Sequence, residues 1–171
     1  SLLPLYSGPS PIRSAIYNGD KTSGVCLMQV TPEMDAGDIY ECREFDIDIN
    51  DTNDSVESRV SQIASDMLSS FLANPDAYSA VPQNGTPTYT KKWTGADEII
   101  DWTHGDVAVH NQVRALGAGR TKINGIDIKV LQTEIDADNL RILRVQPAGK
   151  KPMDWRSFVN GLRGAEIKIG K

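Results

Sequence analysis

The stretch "SGVCLMQVT", Ser23–Thr31, is a run of strand length whose apolar residues do not alternate with polar ones. A strand with one face in water alternates, so an unbroken run reads as a strand covered on both faces, as inside an α/β sheet. Working outward, "IYECREFDI" (Ile39–Ile47) reads as a second strand, nearer an edge because charged residues interrupt it. Between them lies the loop "PEMDAGD". Upstream, Pro11 in a first helical turn, the apolar Ile12, Ala15 and Ile16, and Gly19 as a stop predict a short helix entered from a Pro/Ser/Gly-rich loop. Downstream, Val56, Val60, Ile63, Met67, Phe71 and Leu72 recur at helical spacing and predict a long amphipathic helix over 54–73, with Asp54 and Glu57 as a capping pair. Two strands and one long helix cannot cover both faces of a buried strand. Residues 1–85 are therefore expected to be the carboxy-terminal part of a larger α/β domain.

The next stretch, "NPDAYSAVPQNGTPTYTKK" (Asn74–Lys92), has three prolines and no periodicity, which is linker composition, and places a domain boundary within 83–90. Beyond it, "GDVAVHNQVRALG" predicts a helix with Asp106 as cap and Gly117 as stop. In "RTKINGIDIKVLQTEID", Asn124-Gly125 between alternating apolar residues predicts a two-residue hairpin. A strand in "NLRILRVQPAG", a short helix in "MDWRSFVNGLRG" and a last strand in "AEIKIG" complete the chain. Many short strands with little helix suggest a small barrel, and the OB-fold is a common one that binds polyanions. The expected fold is α/β plus β, with an α/β domain portion over 1–85 and an OB-like β-barrel domain over 86–171.

Charge follows the same division. Residues 1–85 hold 4 Lys/Arg against 13 Asp/Glu, net -9, and the remainder holds 14 against 10, net +4. An acidic front with a basic back is what a chain needs if only the back meets a polyanion such as nucleic acid. No apolar run approaches the roughly 18 residues that cross a bilayer, which argues against a membrane protein and for a soluble, cytoplasmic one. Cys26 and Cys42 have neither metal-site spacing nor the density of a disulfide scaffold, and are expected to be buried small hydrophobes.

Chemistry-bearing patterns are few. His104 sits before a turn glycine and reads as a surface residue, while His110 on an apolar helix face reads as a hydrogen-bonded structural one. No cluster has metal-ligand spacing, so no metal is expected, and no phosphate loop or nucleophile elbow appears. What remains is "MDAGD", which carries Asp35 and Asp38 on a connection beyond a buried strand, where open α/β sheets form ligand sites. A carboxylate there can act as a base or hold a protonated partner; an Asp bonding its own turn is the competing reading.

With these residues collected, the chain resembles the methionyl-tRNA formyltransferase family. The matching stretches are "SLLPLYSGPSPI", "AIYNGDKTSGVCLMQVTPEMDAGDIY", "PQNGTPTYTKK", "IDW", "VHNQVRALG", "INGIDIKV" and "VQPAGKKPMDWRSFVNG", in order along the whole length. The resemblance implies transfer of a formyl group from 10-formyltetrahydrofolate, a donor substrate, to the amino group of initiator methionyl-tRNA. It implies that Asp35 polarises a histidine and helps shuttle a proton, and that Ser1, Leu2, Leu3 and Pro4 line the tetrahydrofolate site. It also implies an Asn-x-His directly before "SLLP", so the chain by itself is expected to be inactive and the full-length enzyme to be monomeric. Lys91, Lys92, Arg120 and Lys122 are the candidate tRNA contacts, within a basic set that also includes Arg114, Lys129, Lys150 and Lys151.

The chain departs from the family in having Ser7-Gly8 where Arg-Gly is usual, and in a loop shortened to "GAGRT" after the "VRAL" helix. Two other functions fit parts of the pattern. One is a formyltransferase acting on a nucleotide-linked amino sugar, which has no use for a basic tail. The other is a stand-alone nucleic-acid-binding OB module.

Overall fold

The computed structural model describes residues 1–137 and 139–170. The chain divides into two compact units: residues 1–15 with 20–92, and residues 16–19 with 93–171. No helix among the described residues is long and apolar enough to cross a membrane.

The first unit is built on a hairpin of β1 (Thr22–Met28) and β2 (Ile39–Asp46). It is preceded by α1 (Pro11–Asn18), whose last three residues count with the second unit. It is followed by α2 (Asn53–Ala73). The predicted elements are present, with three corrections. The cap of α2 is Thr52 rather than Asp54: its side chain accepts from the Ser55 N–H, and the Ser55 hydroxyl accepts from the Thr52 N–H, the reciprocal pair that satisfies two of the helix's orphan donors. The strand read as covered on both faces is buried only at Ser23 and Gly24; Val25 to Met28 are half-buried. Its sheet has two strands, β1 and β2, so among the described residues one edge of β1 has no strand beside it. The third correction concerns the cysteines. Cys42 is exposed, Cys26 is half-buried, and the two are joined by a disulfide because the hairpin register sets them directly opposite each other.

Residues 74–92, of linker composition, are tied into this unit by main-chain hydrogen bonds. Val81 exchanges both of its bonds with Ile39, at 2.8 and 2.9 Å, and Ser7 bonds the Thr88 carbonyl and the Thr90 N–H. Prolines 82 and 87 fit such edge segments because they leave one ladder donor out where no partner needs it.

The second unit packs α3 (Asp106–Leu116) and the short α4 (Trp155–Gly161) on one antiparallel sheet. Its strands are β3 (Gly119–Ile123), β4 (Ile126–Asp136), β5 (Asn139–Pro147) and β6 (Met153–Asp154), in that spatial order. The β3–β4 turn is the predicted Asn124-Gly125, with φ of 50° and 75°, the left-handed pair that a two-residue hairpin twisting with its strands requires. Val109 and Val113 of α3 meet Ile123, Ile128, Val130, Val145 and Phe158 in the core. The order β3-β4-β5-β6 is open, so no barrel closes among the described strands. The last strand expected in "AEIKIG" is an isolated bridge, Ile169 to Ile123, anchored by the Asn124 side chain bonding Glu166 and Lys168 main chain. The N-cap of α3 is Gly105; the carboxylate of Asp106 instead accepts from the Leu140 N–H at 2.9 Å.

Candidate active site

The β1–β2 connection carries Asp35 in a left-handed conformation, φ 54°, which Asp tolerates better than most residues. Two residues on, Gly37 is buried, and a Cβ there would lie 1.9 Å from the Gln29 carbonyl oxygen, so the loop closes on itself only with glycine. The Asp38 carbonyl accepts from the Gln29 N–H at 2.8 Å and completes the closure.

The half-buried carboxylate of Asp35 is aimed at the amino-terminal loop: its Oδ2 accepts from the Gly8 N–H at 2.7 Å. That donor is presented by Gly8 at φ 114°, packed so closely on Thr90 that a Cβ would sit 2.9 Å from its Oγ1. Thr90 Oγ1 also accepts from the Ser10 N–H and donates to the Ser7 carbonyl. The turn before it is tied by the Thr88 hydroxyl accepting from the Tyr6 N–H at 2.8 Å. Ser1, Leu2, Leu3 and Pro4 are half-buried on the same loop. Sequence reasoning missed Thr90 and also Gln83, whose side-chain amide donates to the carbonyls of Asp35 and Gly37. The only signal for either is a polar side chain in a stretch of linker composition.

A cavity of about 340 Å³ opens beside this loop, lined by Leu2, Leu5, Tyr6, Asp20, Lys21 and Ser23. Within it the Tyr6 hydroxyl donates to Asp20 Oδ2 at 2.6 Å.

The four basic candidates divide between the units. Lys91 and Lys92 are exposed at the end of the first. Arg120 and Lys122 are exposed two apart on β3, hence on one face of the second unit's sheet. Register extends that face: Arg120 lies opposite Lys129, and Lys129 opposite Gln146, a row crossing three strands. The row lines a cleft of about 360 Å³ closed by Pro147, Ala148 and Gly149. Arg120 is paired with Glu98 at 2.6 Å and Lys122 with Asp127 at 2.8 Å. Lys129 was read from sequence only as one of a general basic set; its place in the row is a matter of register. The two histidines stand where expected. His104 is exposed, and His110 is buried with its Nδ1 2.8 Å from Thr133 Oγ1. Among the described residues no group of His, Cys, Asp and Glu has the arrangement to hold a metal.

The Asp35 loop and the Gly8 turn that it meets both lie in the stretch over which the chain is similar to formyl transferases. Residues 1–72 match the family model described as "Formyl transferase". The particular relatives are methionyl-tRNA formyltransferases. The chain is 32% identical to that of Coprothermobacter proteolyticus over 99% of its own length, and spans 65% of the relative's. In fold it is similar to the methionyl-tRNA formyltransferase from Clostridium thermocellum, with a TM-score of 0.73, 20% identity, and coverage of 86% of this chain and 65% of that one. It is similar too to WlaRD, a sugar 3N-formyl transferase solved in the presence of dTDP and 5-N-formyl-THF, with a TM-score of 0.67, 19% identity, and coverage of 87% and 63%.

Proposed function

We propose that these residues form the carboxy-terminal part of a methionyl-tRNA formyltransferase. As part of the intact enzyme, they serve transfer of the formyl group of 10-formyltetrahydrofolate to the amino group of initiator methionyl-tRNA. The observation that carries the reading is the Asp35 carboxylate, delivered by a self-closed loop to the Ser1–Gly8 segment in a chain similar to methionyl-tRNA formyltransferases along its whole length. In the reaction the amine attacks the formyl carbonyl, a proton must leave the nitrogen, and tetrahydrofolate departs. Asp35 is the group on this chain placed to orient and charge-stabilise a proton carrier, while Ser1, Leu2, Leu3 and Pro4 line the donor's site. The 171 residues contain no Asn-x-His, the tripeptide that the family resemblance assigns to oxyanion stabilisation and proton handling, so the chain alone is inactive.

The second domain, taken as 86–171 with 1–85 as the catalytic portion, is OB-like in this reading and contacts tRNA phosphates through Arg120, Lys122 and Lys129, with Lys91 and Lys92 adding to them. The net charge of +4 on that half favours tRNA over a nucleotide-linked amino sugar. The enzyme acts as a monomer in the cytoplasm. The test is formylation of methionyl-tRNA by the intact enzyme with 10-formyltetrahydrofolate, where Asp35→Ala should lower kcat by about 10² or more. Formyl transfer to a nucleotide-linked amino sugar with none to methionyl-tRNA would refute the assignment.

A further inference from the structure

Asp35 is unfavourably placed by its own chain. A left-handed φ of 54° costs Asp less than most residues but still needs surroundings that hold it, and Gly37, two residues on, lies beyond Met28–Ile39, the last pair of the hairpin ladder. What holds the loop comes from 46 and 48 residues away in sequence. The Gln83 side-chain nitrogen donates one hydrogen to the Asp35 carbonyl at 2.7 Å and the other to the Gly37 carbonyl at 2.9 Å.

Gln83 is itself fixed. Two residues earlier Val81 pairs with Ile39 at the start of β2, so the main chain leading to Gln83 runs alongside the strand that leaves the loop. Over 81–89 every residue but Gln83 is exposed. The chemistry selects the residue type. A primary amide bridges two carbonyl oxygens from one nitrogen because that nitrogen carries two hydrogens, and it does so without bringing a charge beside the Asp35 loop. A carboxylate in the same place would face two acceptors and repel both.

We propose that Gln83 is the positioning residue for Asp35. By cross-linking the carbonyls of residues 35 and 37 it fixes the loop in the one shape in which the Asp35 carboxylate meets the Gly8 N–H. It touches no substrate and acts through Asp35, so its part in catalysis rests on the formyl-transfer reading above, whereas its part in fixing the loop does not.

The experiment has one arm for each. In the 171-residue chain, amide hydrogen exchange read residue by residue should show the Gly8 N–H exchanging at least about tenfold faster in Gln83→Met, which keeps size and removes the donors, with Ile39 and Val81 amides unchanged. Gln83→Glu should behave like Gln83→Met at pH 7 and recover in part near pH 4, where the protonated acid regains one donor. Unchanged Gly8 exchange in both variants would overturn the proposal, as would acceleration shared equally by Ile39 and Val81, the mark of general loosening. In the intact enzyme, Gln83→Met should lower kcat at least tenfold with KM for methionyl-tRNA within twofold, and Gln83→Glu should add an acid-side gain in kcat that wild type lacks. An unchanged kcat would overturn the catalytic role. A wild-type enzyme without formyl transfer would instead refute the reaction assigned to Asp35, and the exchange arm would still decide whether Gln83 fixes the loop.

Discussion

Cys26 and Cys42 stand opposite each other in the β1–β2 register, their Cα atoms 4.1 Å apart, and their disulfide closes a 16-residue separation that contains Asp35. Antiparallel pairing alone brings facing residues to about 4.5–5.5 Å, so the hairpin presents the two thiols to each other before any bond forms.

A cross-link of this loop length restricts the unfolded chain and is worth up to about 3 kcal/mol. Reduction with excess dithiothreitol, or the Cys26→Ser/Cys42→Ser pair, should therefore lower the urea midpoint of the first unit. Equal midpoints for oxidised and reduced protein, with thiol titration confirming the two states, would show that the bond contributes nothing.

The start of α2 should carry an acid-labile part of the stability. Burial pushes the Asp51 carboxyl up, but hydrogen bonds from Ser55 Oγ and the Asp48 N–H and the charge of Arg59 outweigh it and hold it below the usual carboxylate range. With a folded pKa below the unfolded value of about 3.9, the contribution is complete above that value and is lost as pH falls through the folded pKa. The stability gap between wild type and Asp51→Asn should be full at pH 7 and shrink as pH falls below the unfolded value and through the folded pKa. A gap independent of pH would assign the difference to packing instead of charge.

Nucleic-acid binding by the row on β3 and β4 should show itself in salt. Arg120→Ala and Lys129→Ala should each weaken tRNA binding and reduce the slope of log K against log salt by about 1, the signature of one lost phosphate contact. Lys150→Ala, outside the row, should change the slope less. Three equal slopes would mean that the row is a solvated face.

Much of the architecture was legible because it is local. The helical spacing from Val56 to Leu72, Pro11 and Gly19 around α1, and Asn124-Gly125 between alternating strands all act within a few residues, so composition and period expose them. The loop Asp at position 35 stood out as the chemistry-bearing group at a strand end, and its environment followed only from contacts 27 and 48 residues apart. The capping pair was misplaced by two residues because Thr52–Ser55 and Asp54–Glu57 have the same spacing, and only the helix's true start selects between them. Barrel closure was not legible, because strand count does not specify it: closure depends on whether a last strand pairs with a first, and the described strands β3-β4-β5-β6 do not close.

By itself the sequence determined the order of helices and strands, the charge division between the halves, and the candidate carboxylate, since each rests on side chains that are neighbours along the chain. The tertiary structure alone decided that two cysteines face each other, that Gln83 of an apparent linker cross-links the Asp35 loop, and that Arg120, Lys129 and Gln146 form a row. Those relations are set by strand register and by hydrogen bonds between distant segments, and no period or composition encodes which donor meets which carbonyl.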